Sequence, residues 1–245
     1  MRTLVITPTY VEAENIDEFL RRARAALPSA DILVVDDNSP DGTADIAEAA
    51  AAELGSIDVL RRPVKQGLGT AYRAGFAIGL EKGYGALVQI DADLSHDPAV
   101  LPELLGALES GADLAIGSRY VPGGEIPHWP WFRRALSRYG NLYAAFVLGT
   151  GVKDATSGYR AYRADTLKSI DYATTRSKGY GFQIETEYRV HSWGGRITEV
   201  PIVFTDRVRG YSKMSWFIFA EELLLVTWWG MRDRARRLWR RRRPG

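Results

Sequence analysis

The feature that most limits what this chain can fold into is a change of apolar period that repeats through its first half. Short runs rich in Val, Ile and Leu at about residues 3–7, 31–36, 57–60, 86–90 and 113–117 read as strands. Between them the apolar spacing lengthens to that of helices at about 14–26, 41–53, 69–82 and 98–109, the second introduced by Asp41 as N-cap. Such units join by right-handed crossovers, so an α/β fold with a mostly parallel sheet and helices on both faces is expected. Ligands on such a sheet bind beyond the carboxyl ends of the strands. After residue 120 the alternation stops. Gly123, Gly124, Pro127 and Pro130 mark a loop, followed by a helical stretch at about 132–148, a strand at about 196–204, a polar loop to Lys213 and a long C-terminal helix.

Polar residues gather at the expected strand ends: Pro8, Tyr10 and Glu12 after the first, Asp36 and Asp37 after the second, Asp91 and Asp93 after the fourth. In extended backbone Asp91 and Asp93 face the same side and can share one cation. Mg2+ and Mn2+ are usually held by one or two carboxylates together with substrate phosphate oxygens, which points to a nucleoside diphosphate. Spacing alone leaves a second reading open, in which Asp93, Ser95 and Asp97 merely cap the helix after Pro98. The Asp36–Gly42 cluster makes equally good turns. Two such clusters, both at carboxyl ends of expected parallel strands, favour a nucleotide-sugar crevice over turn chemistry.

Composition removes other chemistries. There is no cysteine, so a metal must sit on carboxylate, imidazole or carbonyl ligands. His96, His128 and His191 are scattered without ligand spacing, and no Gly-x-Gly-x-x-Gly follows the first strand, which argues against a dinucleotide-dependent oxidoreductase. Gln183, Glu185 and Glu187 could face a sugar, or Glu185 and Arg189 could pair at i, i+4 on a helix.

Three segments together carry a family resemblance. Thr7-Pro8-Thr9-Tyr10 with Glu12 and Asn15, then Val34 to Thr43, then Asp91-Ala92-Asp93-Leu94-Ser95-His96-Asp97-Pro98 resemble the family 2 glycosyltransferases in order and spacing. Gly117-Ser118-Arg119-Tyr120, Ser157-Gly158-Tyr159-Arg160 and the loop Asp206 to Lys213 resemble, within that family, the dolichol-phosphate or polyprenol-phosphate mannose synthases. The resemblance implies a GT-A fold over residues 1–215 and inverting transfer of mannose from GDP-mannose to a polyprenyl or dolichyl phosphate. It places Pro8, Tyr10, Glu12, Val35, Asp37, Asp91, Ala92, Asp93, Arg207 and Lys213 around the donor, with Asp93, Arg119, Arg207 and Lys213 as the catalytic set. Arg119, Arg133 and Ser137 would hold the acceptor phosphate. Asp93 would ligate Mg2+ or Mn2+, with Asp91 as a further ligand and Ser95 standing where some relatives have a metal-binding Gln. A UDP-glucose-dependent polyprenyl-phosphate glucosyltransferase shares this framework and stays open as the alternative.

Net charge is +2, but residues 232–245 hold eight arginines against one aspartate, a basic tail on a mildly acidic body. The stretch 216–231 is broken by Glu221 and Glu222 and is too short to span a bilayer. Trp216, Phe217, Phe219, Trp228, Trp229 and Trp239 with that tail suggest an amphipathic helix over 216–245 lying on the cytoplasmic membrane surface. The start of the chain reads as lacking a signal peptide. The expectation is thus a cytoplasmic enzyme, peripheral on the inner face of the membrane, with a separate membrane-anchoring protein left open as a partner. Concentration of the net positive charge in the tail, on a mildly acidic body, argues against a nucleic-acid partner.

Overall fold

The computed structural model describes residues 1–177, 179, 181–206 and 224–232. Seven strands form one sheet in the order β3-β2-β1-β4-β6-β5-β7, where β1 is Thr3–Thr9, β2 Asp31–Asp36, β3 Ile57–Arg61, β4 Ala86–Gln89, β5 Leu114–Ser118, β6 Arg160–Arg163 and β7 Ile197–Pro201. β1 pairs in parallel with β2 and β4, β2 with β3, and β5 with β7. The central strands are apolar and buried on both faces, as parallel strands covered by helices must be.

Helices α1 (Ile16–Ala26), α2 (Thr43–Leu54) and α4 (Leu101–Glu109) cover one face. α1 buries Ile16, Phe19, Leu20 and Ala23, a stripe at i, i+3, i+4 and i+7. The other face carries α3 (Leu68–Glu81), the C-terminal half of α5 (Trp131–Leu148), α6 (Ala164–Ser169), α7 (Gly181–Trp193) and the helical residues 224–232. A Cβ at Gly75 or Gly79 would collide with Ile6 or Leu87, so those glycines let α3 lie directly on β1 and β4.

Two local expectations are corrected. Asp41 is not the N-cap of α2: Gly42 takes that position with φ 83°, a left-handed value that favours glycine. Asp41 accepts hydrogen bonds from Thr43 N and Oγ1 and from Ala13 N, tying the loop after β1 to the loop after β2. β6 and α6 had no counterpart in the sequence reading. β6 runs antiparallel between β4 and β5. Its sequence, Arg-Ala-Tyr-Arg, gives no apolar run, and Arg160 is fully buried in it. That guanidinium donates to the carbonyls of Ala155, Ser157 and Gln183, so a charged side chain does the work of a core residue.

Among the described residues no helix is long and apolar enough to cross a membrane.

Candidate active site

Since β2, β1 and β4 are adjacent and parallel, their carboxyl ends bring the three polar clusters to one crevice. Pro8 and Val35 are register partners, as are Thr9 and Asp36. The loops clasp each other through three successive amides: Val11 N donates to Ser39 Oγ, Glu12 N to Thr43 Oγ1 and Ala13 N to Asp41 Oδ2. Val11, Asn38 and Leu94, one in each loop, hold φ near 60°. A non-glycine residue there costs about 1–3 kcal/mol, a strain that collects where a backbone shape is needed for a ligand.

The acids divide by how their oxygens are used. Asp36 is spent on structure, accepting from Thr9 Oγ1, Ser39 N and Ser39 Oγ. Asp37 forms an ion pair with Arg62 at 2.7 Å, both nearly buried, and accepts from Gln66 N. Glu12 accepts from Asn15 Nδ2, and Lys65 lies 3.8 Å from the centre of the Tyr10 ring. Asp91 Oδ1 accepts from the Tyr72 hydroxyl at 2.9 Å, and burial together with the Asp91 charge raises that phenol well above its ordinary range, which keeps it a donor. Asp93, 4% exposed, accepts from Ser95 N at 3.0 Å, while Asp97 is the residue that caps the turn after Pro98. Ala92 and Ser95 are buried beside them.

No group of three or more His, Cys, Asp or Glu side chains among the described residues could hold a metal unaided. Asp91 and Asp93 are both engaged by internal donors, so a divalent cation on this pair would need diphosphate oxygens to complete its shell, as Mg2+ and Mn2+ sites in transferases commonly do. His96 is buried and lowered to about 4 by desolvation, partly offset by Asp93, so it is neutral; its ring packs on Tyr159 and Phe204.

A second polar group stands at the end of β5. Arg119 is held by Asp154: the backbone N donates to Oδ2 at 2.9 Å, Nε to Oδ2 at 2.7 Å and Nη2 to Oδ1 at 2.6 Å. Burial works against the guanidinium's charge, but Asp154 overrides it and raises the pKa. Breaking such a pair from one side costs about 3–5 kcal/mol. The guanidinium is ringed by Tyr120, Trp129 and Phe204 at 5.4–5.6 Å. Arg133, in the first turn of α5, stacks on the same Trp129 ring at 3.9 Å and gives one hydrogen bond to Asp206. Trp129 thus joins Arg119 at the end of β5 to Arg133 in α5. Ser137 follows one turn along α5, and its carbonyl accepts from Asn141. Arg207 and Lys213 lie outside the described residues.

With this geometry in place, comparison with known proteins is informative. Residues 4–171 match the family model described as Glycosyl transferase family 2. The chain belongs to that family. Two relatives of this glycosyltransferase cover nearly its whole length. One, from Micrococcus luteus, is an undecaprenyl-phosphate mannosyltransferase, 53% identical over 234 residues and covering 96% of each chain. The other, from Mycolicibacterium smegmatis, is a polyprenol monophosphomannose synthase, 52% identical over 239 residues and covering 96% of this chain and 90% of the relative. A mannosyltransferase from Pyrobaculum calidifontis, solved with GDP-Man and Mn2+, has the same fold at a TM-score of 0.62, 17% identity, and coverage of 92% of this chain and 62% of that one. The GT-A fold and glycosyltransferase activity expected from the sequence are thereby established.

The glycosyltransferase also carries groups that sequence reasoning missed. Tyr72 keeps helical spacing with Phe76, a pattern that in sequence is indistinguishable from core. Asp154 stood in a Gly- and Thr-rich stretch with nothing to connect it to Arg119. Most conspicuous is the outer face of α5. Phe132, Leu136, Tyr139, Tyr143 and Phe146 recur at steps of four and three along one stripe, and all are exposed, Tyr139 by 71% and Phe146 by 77%. Trp131 beside them is 80% exposed. The core-facing side is instead Asn141, Ala144 and Leu148. Residues 224–232 dock alongside: Tyr143 and Thr227 share a hydrogen bond at 2.7 Å, Trp229 stacks on Tyr188, and Leu224, Trp228 and Met231 stay exposed.

Proposed function

We propose that this glycosyltransferase moves mannose from GDP-mannose to the phosphate of a polyprenyl phosphate at the cytoplasmic membrane surface, giving the β-linked mannosyl lipid and GDP. The observation that carries the acceptor is the junction of Arg119 and Arg133 on Trp129 with the exposed aromatic stripe of α5. An arginine pair suits a phosphate and an adjoining apolar stripe suits the chain attached to it, the two halves of an amphiphile. Aromatic side chains of this kind also favour the membrane–water boundary. The attachment surface we assign is therefore wider than residues 216–245, since α5 contributes to it. The names of the relatives support mannose and a polyprenyl phosphate, and the neighbour solved with GDP-Man and Mn2+ supports the donor and a divalent metal.

A phosphate monoester, with a second pKa of about 6, is largely dianionic at neutral pH and needs no general base. Its oxygen attacks the anomeric carbon as the bond to the diphosphate breaks, a single displacement that inverts an α-linked donor. A divalent cation, when bound, would neutralise charge at the leaving diphosphate. This chain's residues would do the rest: Asp91 and Asp93 would hold that cation, Pro8, Tyr10, Glu12, Val35 and Asp37 would surround the nucleoside, and Arg119, Arg133 and Ser137 would aim the acceptor. Arg207 and Lys213 are assigned to the diphosphate on the resemblance of their loop.

Offering labelled GDP-mannose, UDP-glucose and UDP-GlcNAc with a short polyprenyl phosphate tests this directly. Label from GDP-mannose alone should enter the organic phase. Transfer from UDP-glucose instead would establish the glucosyl alternative, and no lipid-bound label would refute the acceptor.

A further inference from the structure

Three polar side chains on α7 could in principle serve a sugar, and the structure separates them. Glu185 is consumed: Oε1 accepts from Arg189 Nη2 at 2.8 Å, and Oε2 accepts the amides of Arg176 and Ser177. Glu187 is buried close to Arg160 and Glu199, whose charges both act on it. Gln183 shares its lack of hydrogen-bond partners among the described residues with Glu187, and what sets it apart is its place: of the three, it is the one beside Asp91 and Gly158. Its side chain is fully buried, yet neither Oε1 nor Nε2 has a hydrogen-bond partner among the described residues. A carboxamide that loses water without gaining a partner is costly, so one in a folded protein calls for a partner such as an ordered water, an ion or a ligand.

The surroundings of Gln183 say what that is. A Cβ placed on Gly158 would stand 3.4 Å from Asp91 Oδ2 and 3.7 Å from Gln183 Nε2. Gly158 thus leaves open the ground that the Asp91 carboxylate and the Gln183 carboxamide both border. Neither group is free to drift. Tyr72 holds Asp91 Oδ1, and its ring stacks on Phe182, the neighbour of Gln183. Arg160 grips the Gln183 carbonyl at 2.6 Å and at the same time the carbonyls of Ala155 and Ser157, so the first turn of α7 is fastened to the loop that bears Gly158. Gln89, two residues before Asp91, is likewise buried, with neither amide atom partnered among the described residues.

We infer that Gln183 is a specificity-determining residue of this glycosyltransferase, its carboxamide reading the hydroxyls of the transferred sugar beside Asp91 while Gly158 leaves the room for it. One amide offers donors and an acceptor side by side, the match for hydroxyls that both give and take hydrogen bonds. Pockets built to hydrogen-bond a hydroxyl reject analogues that lack it far more strongly than apolar pockets reject a change of size, because the pocket's own polar atoms are left unpaired.

This inference rests on the crevice being the donor site, and the test keeps the two apart. The donor panel above first establishes which nucleotide sugar the wild-type chain transfers; if that is not GDP-mannose, the donor reading fails and the following series is run on the sugar that is. Wild type, Gln183→Leu and Gln183→Glu are then compared for kcat/KM on the parent donor and its monodeoxy analogues, and for affinity toward the nucleoside diphosphate alone with Mn2+. Wild type should lose at least about tenfold on one monodeoxy analogue. Gln183→Leu should fall about 30- to 100-fold on the parent and treat that analogue and the parent alike within about twofold, with nucleoside diphosphate affinity unchanged. Should the leucine variant not fold, Gln183→Glu keeps the shape, removes the donor N–H and is expected to lose the same discrimination. A variant that slows every donor by one common factor, or that leaves the series as in wild type, overturns the inference.

Discussion

The two sides of the crevice are built on different principles. On the donor side, β2, β1 and β4 end in loops that hold one another through buried carboxylates, hydroxyls and successive amides, with a left-handed residue in each. On the acceptor side, the arginines are organised by aromatic rings and by acids brought from elsewhere in the chain, and α5 turns its apolar stripe outward. On the proposed function, the donor side would receive a polar, multiply charged ligand in one pose, and the acceptor side would meet a flexible amphiphile and the surface that contains it. A preorganised pocket loses much when one charge is removed, whereas an extended surface loses a little per side chain, and that asymmetry can be measured.

The sharpest break should come from Asp93→Asn, which keeps the hydrogen bond to Ser95 N but removes the charge that holds the cation against the diphosphate. Turnover should fall by about 10³-fold or more with the melting temperature unchanged, and chelation of divalent metal should do the same to the wild-type protein. Near wild-type turnover of a folded variant in saturating Mn2+ would undo the metal assignment.

The acceptor side should answer more gradually. Replacing Trp131, Tyr139 and Phe146 together by serine removes exposed apolar surface without touching the core, so the fold should stand. Affinity for vesicles containing anionic lipid should drop by about ten- to thirtyfold, while transfer to a short, detergent-dispersed polyprenyl phosphate stays within about threefold. Equal cosedimentation of variant and wild type would move attachment entirely to residues outside α5. Truncation after Gly230 should add a separate, salt-sensitive loss, because the arginine tail acts through surface charge screened over about 8 Å at physiological ionic strength.

The smallest effect is expected at the support beneath both sides. Burial, opposed by Arg160 and reinforced by Glu199, raises the Glu187 carboxyl to about 7. The folded protein therefore keeps this proton where the unfolded chain has lost it, so Glu187's contribution is whole below about pH 4.5 and is lost as pH rises toward 7. Glu187→Gln should gain about 1–2 kcal/mol at pH 7.5 and nearly nothing at pH 4.5, and urea unfolding at the two pH values measures the difference. A gain of the same size at both would show that ionisation of Glu187 is not involved.

The donor side was legible in the chain alone because its logic is local. A strand's length and period say where it ends, parallel strands say which end binds ligands, and so Pro8, Tyr10, Asp37, Asp91 and Asp93 could be placed in one crevice before any contact was known. What Asp36 does is already a tertiary matter, since its oxygens are used up by Thr9 and Ser39 across two loops. The acceptor side depended on tertiary structure throughout. Amphipathic spacing shows that α5 has an apolar stripe but not which way the stripe faces; that is set by which residues meet the sheet, and here they are Asn141, Ala144 and Leu148. The grip of Asp154 on Arg119 follows from the insertion of antiparallel β6 between β4 and β5, which returns the chain to the end of β5 after a span of 35 residues. Gln183 could be named from the sequence only as one of three polar residues on a helix. Its unspent hydrogen-bonding capacity, shared with Gln89 and Glu187, and its place beside Asp91 belong to no residue by itself: they exist only once the folded chain has set these groups together.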